Sequence, residues 1–344
     1  MKKKDIARTL VGILIAAFFV FFAFKGIAFH ALLRDALRAN YYVLLATVAV
    51  VLLSHVVRAM RWRVILQELK EDVSLVDTWG SIMVGYLFNN FVPRLGEIVR
   101  AYATGRLEDI SVSGVLGTIV LERLFDMLSA GILFGLALFM YHGNFIESFP
   151  YLRLAGVIMV GGSLAVGTVL YVASVSEKFQ RTLMRIIAAV LPKKLAGKAE
   201  SVILSFLTSF KLLRSGKRLA LASLYTAIIW VVYVYTLYIP FFAFGFGARL
   251  HLTFYDAFLL ILVTSIAWSV PSPGGAGVYH LFVSQALMAI SGVPKDEALA
   301  YATLTHLFGY IAITVVGGIF AIIFTRKLKS RSLGKLVEQD TPRE

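Results

Sequence analysis

The feature that most constrains the fold of this chain is a series of apolar runs, each about as long as a lipid bilayer is thick. A helix that crosses a bilayer needs about 20 predominantly apolar residues. The runs that approach this length cover about 10–29, 41–57, 115–141, 154–175, 219–242 and 298–324. Charged residues make up only 16% of the 344, whereas a soluble domain has roughly 25%. The sequence therefore predicts an all-α polytopic integral membrane protein with about six spanning helices.

The distribution of charge predicts an orientation in the membrane. The formal net charge is +14, and in membrane proteins Lys and Arg collect in cytoplasmic loops and meet anionic headgroups. The basic balance therefore gives no reason to expect a nucleic-acid partner. With both termini in the cytoplasm, most of the 34 Lys and Arg residues are cytoplasmic, and the opposite side holds only Arg34, Arg38, Arg153, Arg249 and Lys295.

Two shorter apolar segments are interrupted by polar stretches. The first, around 79–104, contains FNNFVPRLGEIVRAY, and the second, 254–290, contains WSVPSPGGAG. Val-Pro marks the bend in both, and the apolar arms are shorter than the roughly 20 residues of a span. Interrupted segments in corresponding positions of two halves are typical of inverted-repeat transporters. We therefore predict two re-entrant helical hairpins that enter from opposite faces; two proline-kinked helices are the alternative.

Several polar segments are expected outside the bilayer. Segment 176–218 is basic and amphipathic, which is typical of helices that lie on anionic membrane surfaces, although a solvated loop with a helix packed on the protein would share this pattern. We predict membrane-surface contact for Lys193 and Lys194 in this segment and for Arg61 and Arg63 in RAMRWR. Residues 326–344 form a polar cytoplasmic tail.

Charged residues inside apolar segments are candidate functional residues, because burying a charge in a membrane costs free energy. They form two clusters at helical spacing: Arg94, Glu97 and Arg100 in the first hairpin, and Glu122, Arg123 and Asp126 in VLERLFDML. Two interpretations stay open. The clusters neutralise each other and pin the hairpin to the long helix, or one arginine is left to hold a phosphate through two hydrogen bonds.

The second hairpin carries a glycine-rich turn. Gly274, Gly275 and Gly277 let the backbone bend sharply and approach a ligand closely, and a helix that begins at Val278 would point its N–H groups at an anion. A purely structural turn would have the same sequence. The chain has no Cys and no HExxH, G-x-S-x-G or P-loop motif, so we predict no metal site, no cofactor and no enzyme constellation.

The chain resembles the flippase-like transmembrane domain of bacterial lysylphosphatidylglycerol synthases. Four sequence motifs carry this resemblance, in the order in which the family has them: RAMRWR, NNFVPRLGEIVRA, LERLFD and PSPGGAG. The resemblance covers about 10–325 and implies a single domain over 1–325 that moves lipids between the leaflets of a bacterial-type inner (cytoplasmic) membrane. It implies functional roles for motif positions in both hairpins and the long helix: Asn90, Pro93, Arg94, Gly96, Glu97, Arg100, Glu122, Arg123, Asp126, Pro273, Gly274, Gly275 and Gly277.

Two departures from the family pattern shape the expected function. Family members often have Glu where His280 stands, so we do not carry the family's proton chemistry over to the second hairpin; His280 is a candidate site residue and, with Glu97 and Glu122, a candidate proton carrier. The tail after residue 325 leaves no room for the soluble aminoacyl-transferring domain, so we expect no synthase activity. We expect translocation of anionic or aminoacylated phospholipids; an intramembrane lipid-modifying transferase and a non-transporting membrane partner are the alternatives. Homo-oligomerisation is left open.

Overall fold

The computed structural model describes residues 14, 16–26, 29–140, 151–190 and 193–340. The elements in these ranges are helical. The first six α-helices are α1 Ala16–Phe24, α2 Phe29–Arg38, α3 Tyr41–Leu66, α4 Leu75–Phe91, α5 Leu95–Leu107 and α6 Val112–Met140. The next five are α7 Tyr151–Val175, α8 Glu177–Val190, α9 Lys193–Thr208, α10 Gly216–Ala243 and α11 Phe246–Leu250. The last three are α12 Phe254–Ala267, α13 Val278–Ser291 and α14 Lys295–Asp340, and short 3-10 turns cover Ser209–Arg214 and Pro273–Gly275.

Several helices are long and apolar enough to cross a membrane, which confirms an all-helical integral membrane protein. Within the described residues, α3, α10 and the Lys295–Ser330 part of α14 are 3 such helices, or up to 5 if each of two bent pairs forms one span. The bends are 89° between α1 and α2 and 94° between α7 and α8. Helix α6 has 29 residues but carries three charged ones in its middle. The prediction of about six spans stays a prediction.

The two interrupted segments fold as pairs of helices joined by a turn. α4 and α5 pack against each other, as do α12 and α13. In the first turn Val92 is extended and Arg94 adopts a left-handed conformation with φ 64°, which only glycine adopts without cost. In the second, the three glycines supply positive φ angles of 55°, 77° and 77°. Both turns lie where Val-Pro predicted them, and their re-entrance into a membrane stays a prediction.

The turns of the two helix pairs contact each other. Arg94 Nη2 donates a hydrogen bond to the carbonyl oxygen of Ser269 at 2.9 Å. A Cβ on Gly274 would lie 3.1 Å from Asn90 Oδ1, and Asn90 in turn donates to Thr314 Oγ1 of α14 at 2.9 Å. These contacts join the two turns, although Arg94 and Ser269 remain exposed.

Two hydrophobic cores hold the helices around these turns. One lies among α10, α12, α13 and α14 and includes the fully buried Tyr301 and Phe246. The other lies among α3, α4, α5 and α6 and includes Trp62 and Met83. α3 and α10 pack most extensively and so connect the two cores.

Charged residues form ion pairs at two ends of the bundle. At one end Arg218 binds Glu68 at 2.8 Å and Lys327 binds Asp77 at 2.5 Å. At the other, Arg249 pairs with Glu297, beside Arg38. The charged residues at each end of the bundle are ones that the charge distribution placed on the same side of the membrane. Which end faces the cytoplasm stays a prediction.

The basic segment 176–218 divides into two parts. In α8, Phe179 and Ile186 are exposed, at 39% and 56%, which is compatible with membrane-surface contact. Farther along, Leu207 and Phe210 are buried against the second core. The later part of the segment is therefore packed on the protein, as the alternative interpretation had it. The tail continues α14 as helix as far as Asp340.

Candidate functional site

The centre of the site is a fully buried carboxylate, Glu122 of α6, with three arginines around it. Glu122 Oε1 accepts hydrogen bonds from Arg58 Nε at 2.5 Å and from Arg61 Nη2 at 3.2 Å. Glu122 Oε2 accepts from Arg100 Nη2. The side chains of Glu122 and Arg61 are 0% exposed. Burying an unpaired charge costs much free energy, and the three arginines offset this cost for the Glu122 carboxylate.

Asp126 extends the cluster by one helical turn toward the surface. Its Oδ1 accepts from Arg61 Nη1 at 2.6 Å, and its side chain is 25% exposed. Arg61 also donates to Thr226 Oγ1 of α10 at 3.1 Å. The cluster therefore ties α3, α6 and α10 together.

The helices position these groups through ordinary spacing. Arg58 and Arg61 are three residues apart on α3 and Glu122 and Asp126 four apart on α6, so each pair lies on one helical face. Arg100 of α5 lies over the ring of Trp62, with its Cζ 3.7 Å from the ring centroid. This cation–π contact orients the guanidinium toward Glu122.

The exposed rim of the cluster holds a more loosely bound arginine. Arg123 is 43% exposed; its guanidinium nitrogens lie 3.7 Å from Glu97 Oε1 and 3.8 Å from Asp126 Oδ2. Both distances are longer than a hydrogen bond. Among the described residues the cluster has four arginines, Arg58, Arg61, Arg100 and Arg123, against three carboxylates, so one positive charge is in excess.

The structure brings together five of the predicted site residues: Glu97, Arg100, Glu122, Arg123 and Asp126. Arg94 is not among them, because it binds the Ser269 carbonyl. Sequence reasoning missed Arg58, although its place three residues before Arg61 puts both on one face of α3. It also missed Tyr86, whose hydroxyl accepts a hydrogen bond from Arg58.

The predicted membrane-surface contact of Arg61 is wrong. Its fully buried side chain is surrounded by α3, α6 and α10, and it cannot reach lipid headgroups. Arg63 is half-buried, and its contact with the membrane stays a prediction. The side chains of Lys193 and Lys194 lie outside the described residues.

In the first hairpin, Asn89 and Gly96 hold the two helices together. Gly96 N donates to Asn89 Oδ1 at 2.7 Å, and a Cβ on Gly96 would lie 2.0 Å from the carbonyl oxygen of Gly85. Only glycine allows this approach of α5 to α4. Pro93 lies in the turn between them.

In the second hairpin, protein groups cover the glycine turn that begins at Pro273. His306 Nε2 lies 2.8 Å from the carbonyl oxygen of Gly274, and Gly277 N donates to His280 Nδ1 at 3.3 Å. A Cβ on Gly275 would lie 2.6 Å from the Trp268 ring. This packing favours a structural turn. In the part of the chain that the structure describes, no group of three or more His, Cys, Asp or Glu residues could hold a metal ion.

Comparison with known proteins gives a family match over most of the chain. Residues 9–317 match the family model described as the lysylphosphatidylglycerol synthase TM region. A UPF0104 membrane protein of Pyrococcus horikoshii is 26% identical over 314 residues, covering 85% of this chain and 90% of that protein. A UPF0104 membrane protein of Methanocaldococcus jannaschii is 21% identical, with 96% and 99% covered.

A third relative has a different name. The protein named glycosyltransferase AglD of Haloferax volcanii is 26% identical over 304 residues, which are 81% of this chain but only 48% of that protein. No solved structure matches this chain.

Proposed function

This chain belongs to the family of the lysylphosphatidylglycerol synthase TM region, and we propose that it moves a phospholipid or an aminoacylated phospholipid between the leaflets of a membrane. The headgroup phosphate binds at Arg123, on the exposed rim of the Glu122 cluster. The acyl chains stay in the bilayer.

The observation that carries this proposal is the excess positive charge at an exposed edge. A phosphodiester carries one negative charge, which balances the cluster. Arg123 makes only long contacts, at 3.7 and 3.8 Å, and can exchange them for two hydrogen bonds to phosphate oxygens, the geometry that guanidinium groups favour. The oxygens that Arg123 then leaves, Glu97 Oε1 and Asp126 Oδ2, can attract the ammonium of an aminoacylated headgroup.

The buried part of the cluster has a positioning role. Arg58, Arg61 and Arg100 all bind Glu122 and so have less freedom to bind a lipid. They fix α3, α5 and α6 relative to one another, which holds Arg123 at the rim. A binding group on a rigid frame needs no reordering when the headgroup arrives.

Contact between the hairpin turns supports a route for movement. The turn that contains Arg94 touches the turn that contains Ser269, as expected for interrupted segments of two repeats that meet near the middle of a membrane. Rocking of one repeat against the other would expose the rim of the cluster first to one leaflet and then to the other.

A lipid-modifying transferase is the second candidate function, because one relative bears the name of a glycosyltransferase. A transferase needs a nucleophile beside a base. Of the cluster's carboxylates, Glu122 and Asp126 accept short hydrogen bonds from arginines, so these oxygens are already engaged and neither is placed as a base beside a nucleophile. This favours the transport function.

The test uses the full chain in liposomes that contain phosphatidylglycerol or lysylphosphatidylglycerol with a fluorescent acyl chain. Dithionite quenches only the outer leaflet, so transport appears as loss of the protected fraction. We expect Arg123→Gln to slow this loss at least about tenfold, the effect of one charge-assisted hydrogen bond, and Arg123→Lys to slow it less.

The matched control is Arg34→Gln, which removes an exposed arginine that also pairs with a carboxylate, Asp35, and should transport like the wild type. Equal rates for Arg123→Gln and the wild type would contradict the role of Arg123. A folded wild-type protein that moves neither lipid would contradict transport, and a new lipid product in the same vesicles would favour the transferase.

A further inference from the structure

A polar pocket that is open to solvent, the α3–α4 cavity, lies at the end of the bundle where α3 ends and α4 begins. Its volume is about 370 Å³, and its polar lining comes from Arg63, Lys70, Asp72, Ser74, Asp77 and Glu108. Volumes of this order are typical of small-molecule sites. α3 is a candidate span that ends at Leu66, and headgroups meet water just beyond the ends of a span, so we infer that the cavity lies at headgroup depth.

Three charged residues that line the α3–α4 cavity, Lys70, Asp77 and Glu108, are held in ion pairs, one of them with Lys327 from outside the lining. Lys70 Nζ binds Glu108 Oε2 at 2.8 Å, and Lys327 Nζ binds Asp77 Oδ2 at 2.5 Å. The other oxygen of Glu108 accepts a hydrogen bond from Ser74 N at 3.0 Å. These four charges neutralise one another and leave little attraction for a ligand.

Two further charges of opposite sign face the same cavity. Arg63 Nε is buried and has no hydrogen-bond partner among the described residues. The exposed Asp72 has no ion pair within the described ranges. Arg63 Nε itself is shielded, so a ligand oxygen in the cavity would bind the guanidinium through its terminal Nη atoms. The N-terminus of α4, which begins at Leu75, adds attraction for an anion.

We propose that the α3–α4 cavity binds a zwitterionic headgroup, with its phosphate at Arg63 and its ammonium at Asp72. Phosphate and ammonium separated by a short linker occur in phosphatidylethanolamine and in soluble phosphoamines. The position of the cavity at headgroup depth assigns it to the lipid. This site is separate from Arg123, and lipid binding there does not require that the protein move lipids.

A local probe can test this site, because the chain has no cysteine. Val76 is 61% exposed and follows the lining residue Ser74 closely, so Val76→Cys carries a fluorophore beside the cavity. The labelled full chain is placed in vesicles of uncharged digalactosyldiacylglycerol. A minor fraction of phosphatidylethanolamine or phosphatidylglycerol with a doxyl quencher near the headgroup is then added.

We expect phosphatidylethanolamine to quench the label at a lower fraction than phosphatidylglycerol. Arg63→Gln should raise the fraction needed for both lipids about tenfold, and Arg63→Lys should recover most of the difference. Asp72→Asn should raise the fraction of phosphatidylethanolamine needed for quenching to that of phosphatidylglycerol, and it should leave the fraction of phosphatidylglycerol unchanged. Glu71→Gln, a neighbouring carboxylate that does not line the cavity, is the matched control.

Equal quenching by the two lipids in the wild type, or equal effects of Asp72→Asn and Glu71→Gln, would overturn the proposal. Loss of lipid quenching when soluble O-phosphoethanolamine is added in the same concentration range would assign the cavity to a soluble ligand instead. Because the readout is equilibrium binding, a protein that passes this test yet moves no lipid would contradict only the transport function.

Discussion

At the scale of single residues, Glu122 is the group on which the buried cluster depends. Removing its charge leaves three arginines buried with one fewer anion, and breaking a buried ion pair costs about 3–5 kcal/mol. We therefore expect Glu122→Gln to lower the thermal stability of the detergent-solubilised protein strongly. Arg123→Gln changes a group that is 43% exposed and should cost less than about 1 kcal/mol. Equal melting temperatures for the two variants would contradict this assignment of roles.

Part of the cluster could be predicted from the sequence because some of its members lie three or four residues apart in one helix. Glu122 and Asp126 share a face of one helix, and Arg100 follows Glu97 by three residues, so helical periodicity relates the members within each segment. Arg58 and Arg61 were missed as members because RAMRWR after an apolar run is typical of a cytoplasmic flank. Only the packing of α3 against α6 and α10 shows that these arginines are buried in the protein interior.

At the scale of elements, the first hairpin depends on the close approach of its two helices at Gly96. A Cβ there would lie 2.0 Å from the Gly85 carbonyl oxygen, and overpacking of this kind costs about 1–3 kcal/mol. We expect Gly96→Ala to lower thermal stability and transport together. The control is Gly135→Ala in α6, where a Cβ meets nothing within 4 Å among the described residues and should have little effect.

Both hairpin turns were predictable, since Val-Pro ends one helix in each. Glycines supply the backbone angles of the second turn, whereas in the first turn Arg94 adopts the left-handed angle. The basic segment was harder. Its amphipathic pattern is the same whether an apolar face meets lipid or protein, and only the burial of Leu207 and Phe210 separates the two cases.

At the scale of the whole molecule, the two ends of the bundle predict a labelling pattern. Single cysteines can be introduced at Arg38, near Arg249, and at Glu71, beside Arg218 at the opposite end. With a membrane-impermeant maleimide on intact cells, we expect Arg38→Cys to be labelled and Glu71→Cys to be labelled only after the cells are opened. The reverse pattern would contradict the predicted orientation.

The charge cluster also has a consequence for how the protein is made. Arg58 and Glu122 are 64 residues apart in the chain, so the arginines of α3 leave the ribosome well before their carboxylate partners. An arginine at the centre of a bilayer costs about 2.5 kcal/mol or more. We expect helix α3, whose arginines lie toward its C-terminal end, to settle fully into the bilayer only after α6 has been synthesised. A chain truncated before α6 would keep the arginines of α3 but lack Glu122 and Asp126, and we expect it to be degraded faster than the full chain.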